Sequence, residues 1–599
     1  MAETSKSIKK IYNWVLLLIV VLLVVIVNII GSFMYARIDM TEDSRYSLSE
    51  GTISFIENKD HFKNRVLIKI YLEGNLPAEV KRFRNAIEDK LKEFKLYADD
   101  RIEYEFIDPN QGNQADQDYL HEILYNKAKG IIPMNLMYTK DGAQNQLLLW
   151  PGAVIEYGGV TKDYVQLLPG TSAKNFFTLD ANFNNQIQNS INNLEYMLIS
   201  SIRRATLEEK PRIAFLQGHG ELSYAETRRV RDLIDPYYTI EDITLNDSLA
   251  ALDGVKGLVI ARPRGPLSDK DKYIIDQFVM NGGRLMCFID KLTFPADSLA
   301  LNGMVHTTRT NLGGLERMLF DYGVKVNDNY LIDVRCAPKM VPMAKQSLIP
   351  WFFHIAATQT DHPISRNIDP VMLRYASELQ FVGESPTRRA TPILTTSTNS
   401  ATTGMAPLIS LMMPMNYGKN PVLTPNPESE ANKKCLAGLV EGKFDSHFKN
   451  RIVESFAKNP ESHYKPKSVQ EGKVMVVGNG DFIRNYYDSM PSPKNPNVMQ
   501  YRPIQFNNLR YDETMAQAGM QPIIYGNQEF FQNMVDYMMG DNSVLDIRSK
   551  HIDIHPIDTE KVKTDASYYK IINLLIPSGS IILLALALFY LRKRRYARS

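Results

Sequence analysis

A chain of 599 residues with 69 lysines and arginines against 67 aspartates and glutamates has a formal net charge of +2, so its electrostatics make no case for nucleic-acid binding. Its three cysteines, Cys287, Cys336 and Cys435, are too few and too scattered for a disulfide framework or a zinc site. Stability must then come from apolar cores, and the length accommodates about three domains.

The first feature in chain order is an apolar run, Trp14 to Ile30, preceded by Lys6, Lys9 and Lys10. It approaches the roughly 20 residues a helix needs to cross a hydrocarbon core. It is longer than a signal-peptide core, and Phe33, Met34, Tyr35 and Ala36 fit no A-x-A cleavage site, so an uncleaved anchor is expected. Residues 37–60 read as a stalk. Val66 to Leu72 alternates as a strand, and Pro77 opens a helix to about Tyr97 with Val80, Phe83, Ile87, Leu91 and Phe94 on one face. Ile102 to Ile107 is the next strand, and a strand–helix–strand unit of this length favours a parallel pair with a right-handed crossover. A helix over 116–129, a strand at 131–138 and one at 146–156 extend this first α/β domain. Residues 182–206 are rich in Asn and Gln, yet Phe183, Ile187, Ile191, Leu194 and Leu198 form a helical stripe, which predicts an amphipathic helix joining two domains.

From Arg212 the pattern is doubly wound. Strands at 212–216, 238–245, 257–261 and 284–289 alternate with helices at 224–234 and 270–280, the latter closed by Gly282-Gly283. Such alternation predicts a parallel sheet covered on both faces. Lys473 to Val477 rejoins that style, and a helix follows over 528–539. Three stretches without periodicity, 395–406, 418–434 and 486–508, read as surface loops suited to partner contacts. The second apolar run, Ile571 to Tyr590, is interrupted by Pro577, Ser578 and Gly579 and followed by Arg592, Lys593, Arg594, Arg595 and Arg598. Basic flanks mark the cytoplasmic side, so both termini are expected there with the large loop outside. Small residues permit close helix approach, which makes Pro577, Ser578 and Gly579 the candidate contact with a partner's helices.

Chemistry-bearing motifs are sparse. Gly438 to Phe444 is one residue short of a phosphate loop and lacks its hydroxyl residue, so the chain does not read as its own ATPase. Gly478-Asn479-Gly480-Asp481-Phe482-Ile483 follows a strand as a dinucleotide fingerprint would, but Ile483 replaces the third glycine; a tight turn is the plainer reading. Gln217-Gly218-His219-Gly220-Glu221 is the most site-like segment, at the carboxyl end of a strand where doubly wound folds bind ligands. No G-x-S-x-G or G-x-C-x-G elbow accompanies it, so a binding or turn role outweighs catalysis. The methionines at 340, 343, 412, 413 and 415 fit core gap-filling better than thioether metal ligation. No cofactor is expected.

Several segments together resemble a known family. Residues 37–49 (RIDMTEDSRYSLS), Tyr71-Leu72-Glu73-Gly74 with Leu76-Pro77-Ala78, Phe106-Ile107-Asp108-Pro109, Asn193-Leu194-Glu195-Tyr196, Gln217 to Leu222, Val535-Asp536-Tyr537 and Ile547 to Lys550 are similar in order and spacing to the GldG-type gliding-motility-associated ABC transporter substrate-binding or auxiliary subunits. The match is weakest over residues 300–470. The resemblance implies an extracytoplasmic subunit that works with a separate membrane permease and a separate cytoplasmic ATPase, and it brings no catalytic site.

The combined reading is an α/β chain of tandem Rossmann-like, doubly wound extracytoplasmic domains flanked by two transmembrane helices. Its segments are an N-terminal tip and span (1–36), a first α/β domain (37–181), a connecting helix (182–210), a second α/β domain (211–394), a loop-rich continuation (395–550), a juxtamembrane segment (551–570) and a C-terminal span with a basic tail (571–599). The expected function is an accessory subunit of an inner-membrane ABC transporter, linked to gliding motility or envelope transport, with a cell-envelope partner on the outside. The alternatives are a membrane-tethered hydrolase or amidotransferase-like enzyme using His219 and Glu221, and a non-transport envelope scaffold. The candidate ligand crevice comprises Gly218, His219, Gly220, Glu221, Asp290, Gly478 and Asp481.

Overall fold

The computed structural model describes residues 14–26 save 20 and 24, and residues 47–596 save 126–129, 141–142, 169–175, 180, 342–346, 384, 415–431, 451–463, 493–498, 504–514, 516–518, 521–522, 541–544 and 546–564. The expected stalk up to 46, most of the loop at 418–434, residues 504–508 and the juxtamembrane residues 551–564 lie outside the described residues. Residues 1–550 form one compact unit and 551–599 a second.

The first α/β region follows directly from its periodicities. Strand β1 (Val66–Ile70) pairs in parallel with β2 (Ile102–Phe106), and α2 (Ala78–Ala98) connects them. Helix α2 buries Val80, Phe83, Ile87, Leu91 and Phe94, the face its spacing predicts, and Asp99 ends it in a left-handed conformation. Before it, α1 (Glu50–Glu57) is capped by Ser49, whose side chain accepts from the Thr52 N–H. A short helix, α3 (Gln114–Leu124), follows β2.

The region is not parallel throughout. β5 (Gly152–Tyr157) and β6 (Val160–Gln166) run antiparallel and complete a four-stranded sheet in the order β2-β1-β5-β6. Their link is Gly158-Gly159, both at positive φ, a two-residue turn that only a hairpin accommodates. The strand expected over 146–156 is two strands. Pro151 has no N–H for a ladder, so β4 (Ala143–Leu149) ends before it and joins β3 (Met134–Lys140) and β7 (Phe176–Thr178) in a separate sheet.

The Asn-rich segment is a helix, α4 (Ala181–Thr206). Phe183, Ile187, Leu194, Leu198 and Ile202 lie in one core with β1, α2 and β5. Near its middle Glu195 holds α1 by accepting from the Ser49 N–H at 2.7 Å and the Thr52 hydroxyl at 2.8 Å. At its carboxyl end Arg204 donates to Asp163 of β6 at 2.6 Å and to the Tyr237 hydroxyl at 2.8 Å. The neighbouring Arg203 pairs with Asp536, which also accepts from the Tyr238 hydroxyl at 2.8 Å. One helix end thus ties the first region to the next.

The second region is built on a twelve-stranded sheet. Its main path contains β8 (Arg212–Leu216), β9 (Thr239–Ile243), β10 (Val255–Ala261), β11 (Arg284–Phe288), β12 (Cys336–Val341), β13 (Ser347–Gln359), β15 (Arg388–Thr395), β16 (Cys435–Gly442) and β17 (Gly472–Val477), while β14 (Val371–Arg374) pairs with β13. The order is β12-β13-β15-β16-β17-β11-β10-β8-β9, parallel from β17 to β9 and antiparallel from β17 to β12. Strand β17, nearly two hundred residues beyond β11 in sequence, sits against it in the middle of the sheet.

Alternation splits each parallel strand between two cores. Ile213, Phe215, Val259, Met286 and Met475 face one side, covered by α5 (Arg228–Ile234) and α8 (Asn527–Met539). Ala214, Leu258, Leu285, Cys287 and Val476 face the other, covered by α6 (Asp269–Met280) and α7 (Leu315–Asp321). The continuous apolar runs of β10, β11 and β17 are the signature of strands buried on both faces. Burial pushes the Cys287 thiol up, as befits a core residue. Among the described residues no group of His, Cys, Asp and Glu is arranged to hold a metal ion.

In the second unit α9 (Ala566–Tyr596) contains a 26-residue stretch, Ala566–Leu591, long and apolar enough to cross a membrane. Pro577 lies inside this helix, and the Ser578 hydroxyl donates back to the Leu574 carbonyl at 2.7 Å. Trp14–Leu23 is a shorter apolar helix.

The two faces of α4 yield a direct test. Leu198→Ala removes a fully buried side chain and is expected to cost about 2–5 kcal/mol, whereas the exposed Asn189→Ala should change stability by less than about 0.5 kcal/mol. Denaturant titration checks both; equal effects would contradict the packed amphipathic helix.

Candidate functional site

The carboxyl ends of β10, β11 and β17 lie side by side, and backbone bonds carry the alignment past the strands. The Arg262 N–H donates to Phe288 at 2.9 Å, and the Ile289 N–H to Val477 at 3.0 Å. The next residues therefore converge: Arg262 and Arg264 after β10, Asp290 after β11, Asn479 to Asp481 after β17.

Asp290 is the junction. Its Oδ1 accepts from the Gly480 N–H at 2.6 Å and from Asn479 Nδ2 at 3.4 Å. Its Oδ2 lies 3.0 Å from Arg264 Nη2 and 3.2 Å from Arg262 Nε. Burial, reinforced by Asp481, pushes the Asp290 carboxyl up, and Arg264 and Arg262 pull against that shift. The network continues outward: Arg262 pairs with Asp481 at 2.8 Å, and Arg484 with Asp481 at 3.6 Å and Glu226 at 3.0 Å. Glycine is required at 480 for space, since a Cβ there would come within 2.8 Å of both Arg262 Cγ and Asp290 Cγ.

Asp290 and Asp481 line a cavity of about 490 Å³, within the range of small-molecule sites. The antiparallel part of the sheet supplies its other wall. His354 on β13, Arg374 on β14, Tyr375 after it, Lys339 on β12 and Tyr330 face the same space. Trp351 Nε1 donates to the Tyr375 hydroxyl at 3.0 Å, and Phe294 packs edge-on against the Tyr375 ring at 4.7 Å. His354 is buried, and burial together with Arg374 and Lys339 holds its ring well below the usual imidazole range.

Eight non-glycine residues among those described have positive φ, and all but three of them are Asn or Asp, which tolerate it. Of those three, Arg262 at +56° and Tyr375 at +55° both line this cavity. Backbone held in so sparsely populated a region clusters at ligand and active sites.

The segment Gln217 to Glu221 stands behind this cavity and is not part of its lining. Gly218 at φ +118° and Gly220 at +74° turn the chain so that the His219 carbonyl accepts from the Arg264 and Gly265 N–H groups at 2.8 and 2.6 Å. His219 Nδ1 faces Glu221 at 3.1 Å and Nε2 faces Asp271 at 3.2 Å. With a carboxylate at each ring nitrogen the imidazole has no open lone pair for a substrate proton, and the loop acts as a brace for Arg264. Gly478 also sits behind, where a Cβ would come 2.3 Å from the Ser377 carbonyl. The structure thus gathers Asp290 and Asp481 at the cavity and leaves Gly218, His219, Gly220, Glu221 and Gly478 as its support.

Sequence reasoning passed over Arg262 and Arg264, although Arg262-Pro263-Arg264-Gly265 directly follows a buried strand. His354, Arg374 and Tyr375 come from a span where no element was predicted and where the resemblance is weakest.

Residues 210–511, half of the chain, match the family described as ABC-type uncharacterized transport system, and residues 42–156 match a domain of unknown function, DUF7088. An uncharacterized protein of Borreliella burgdorferi is 22% identical over 313 residues, which is 50% of this chain and 56% of that relative. The chain therefore spans little more than half the length of the curated relative it matches. A solved structure, the mmIFT52 N-terminal domain, aligns with 58% of this chain and 100% of its own at 12% identity and a TM-score of 0.30.

Two expectations follow from this geometry. Gly480→Ala should destabilise the chain by about 1–3 kcal/mol, because Asp290 or Arg262 must move; thermal unfolding measures it. Glu221, then Asp271, raise the His219 pKa above its ordinary value, so the stabilisation from its charge is complete below the unfolded pKa of about 6.5 and is lost as pH rises through the folded one. The stability gap between wild type and His219→Gln should accordingly be wider at about pH 6 than at about pH 9, and a gap that widens with pH would contradict the pairing.

Proposed function

We propose a transport role on the premise that this chain belongs to the ABC-type uncharacterized transport system family, an assignment carried by the match over residues 210–511. It serves as an accessory subunit of an ABC transporter at a bacterial inner membrane. A separate permease forms the path, and a separate cytoplasmic ATPase supplies the energy, because the sequence holds no G-x-x-x-x-G-K-[ST] loop of its own. The apolar runs at Trp14 to Ile30 and Ile571 to Tyr590 anchor it twice, with basic flanks inside and the α/β region outside. In this reading the tandem α/β regions engage cargo or a cell-envelope partner, and gliding motility is one process such a complex would serve.

The observation that carries the proposal is the family match joined to α9, a helix with a 26-residue stretch long and apolar enough to cross a membrane. A helix of that kind must be covered by lipid or by another protein's helices. Gly579 is a suitable contact point, because a residue without a side chain lets a partner's helix approach closely.

Isolation of the full chain in a gentle detergent should recover a permease and an ATPase with it. Gly579→Leu should leave the chain's own expression and stability intact while lowering permease recovery severalfold. Reproducible isolation of the wild-type chain alone would overturn the transporter reading.

A further inference from the structure

The cavity described above is lined by more basic than acidic side chains. Arg262, Arg264, Lys339, Arg374 and Arg484 bring five positive charges to its lining, and Asp290 and Asp481 bring two negative ones. Glu226, the partner of Arg484, stands outside the lining.

Buried donor-capable atoms of this lining lack a hydrogen-bond partner among the described residues, on Arg264 and His354 in particular. Arg264 gives Nη2 to Asp290, but its Nη1 is buried and unmatched. His354, 5% exposed, has an unmatched Nδ1. Leaving such groups unpaired costs free energy that a bound oxyanion would recover. The same wall offers a body-binding surface, since Phe294, Leu299 and Tyr375 present apolar or aromatic faces to the cavity.

We infer that this cavity binds a small ligand carrying a carboxylate or phosphate group, with the oxyanion on Arg264 and His354 and an apolar or planar body against Phe294 and Tyr375. Asp290 is a positioning residue here. By holding Arg262 and Arg264 it sets the guanidinium geometry before the ligand arrives, and the left-handed backbone at Arg262 and Tyr375 fixes the two walls. Arginine suits the task because its planar fork matches both oxyanions. The inference concerns this cavity alone and does not depend on the permease partnership; binding without co-purification, or the reverse, separates the two.

The test is calorimetric titration of the full chain in detergent with phenyl phosphate, benzoate and benzyl alcohol. One or both anions should bind, more weakly as salt is raised, and the neutral alcohol should not; which anion binds better identifies the source chemistry. Arg264→Gln should weaken binding about tenfold or more, the expected loss of a charge-assisted hydrogen bond. Because that change touches the Asp290 junction, Lys339→Met provides a second variant that leaves the junction intact and should also weaken binding severalfold. Arg317→Gln, whose side chain is 75% exposed and outside the lining, should bind as wild type does. Failure of both anions to bind, equal binding of benzyl alcohol, or unchanged anion affinity in both lining variants would overturn the inference.

Discussion

A single buried carboxylate fixes the cavity end of the large sheet. Asp290 follows β11, which lies between β17 and β10, and receives the Gly480 N–H from one side and two arginines from the other. A buried charge is tolerable only when so paired, and the pairing forces the loops after β10, β11 and β17 into one cluster. The cavity, the left-handed Arg262 and the absence of a side chain at 480 are all consequences of satisfying that one group.

The supporting structure radiates from this junction. Helices on both faces complete two apolar cores and make the parallel strands rigid, so the strand ends are held in register. The loop containing His219 backs Arg264 through its carbonyl, and its own position is set by Glu221 and Asp271. The antiparallel extension through β16, β15, β13 and β12 brings His354 and Tyr375 opposite the arginines. Family membership joins this architecture to membrane transport, and the apolar helix in the second unit supplies a segment suited to the bilayer.

Much of the scaffold was legible from periodicity. The stripe through Val80, Phe83, Ile87, Leu91 and Phe94 is the buried face of α2, and the apolar runs at 257–261 and 284–288 are strands buried on both sides. The stripe through Phe183, Ile187, Leu194 and Leu198 prevailed over the Asn-rich composition because burial along one face outweighs weak propensity. The expected single strand at 146–156 failed at Pro151, a stop that the sequence states openly. The Gly158-Gly159 hairpin signal was equally visible and makes the first region mixed.

The sequence by itself determined the α/β class, the two apolar termini and the candidate acids Asp290 and Asp481, since these depend on local pattern and on positions after strands. Only the tertiary structure decided what those acids face. Strand β17 reaches β11 across nearly two hundred residues, and His354, Arg374 and Tyr375 lie on or beside strands that the sequence reading did not place. Local periodicity encodes which face of an element is buried; it does not encode which distant element covers that face, and the cavity is made of that second kind of information.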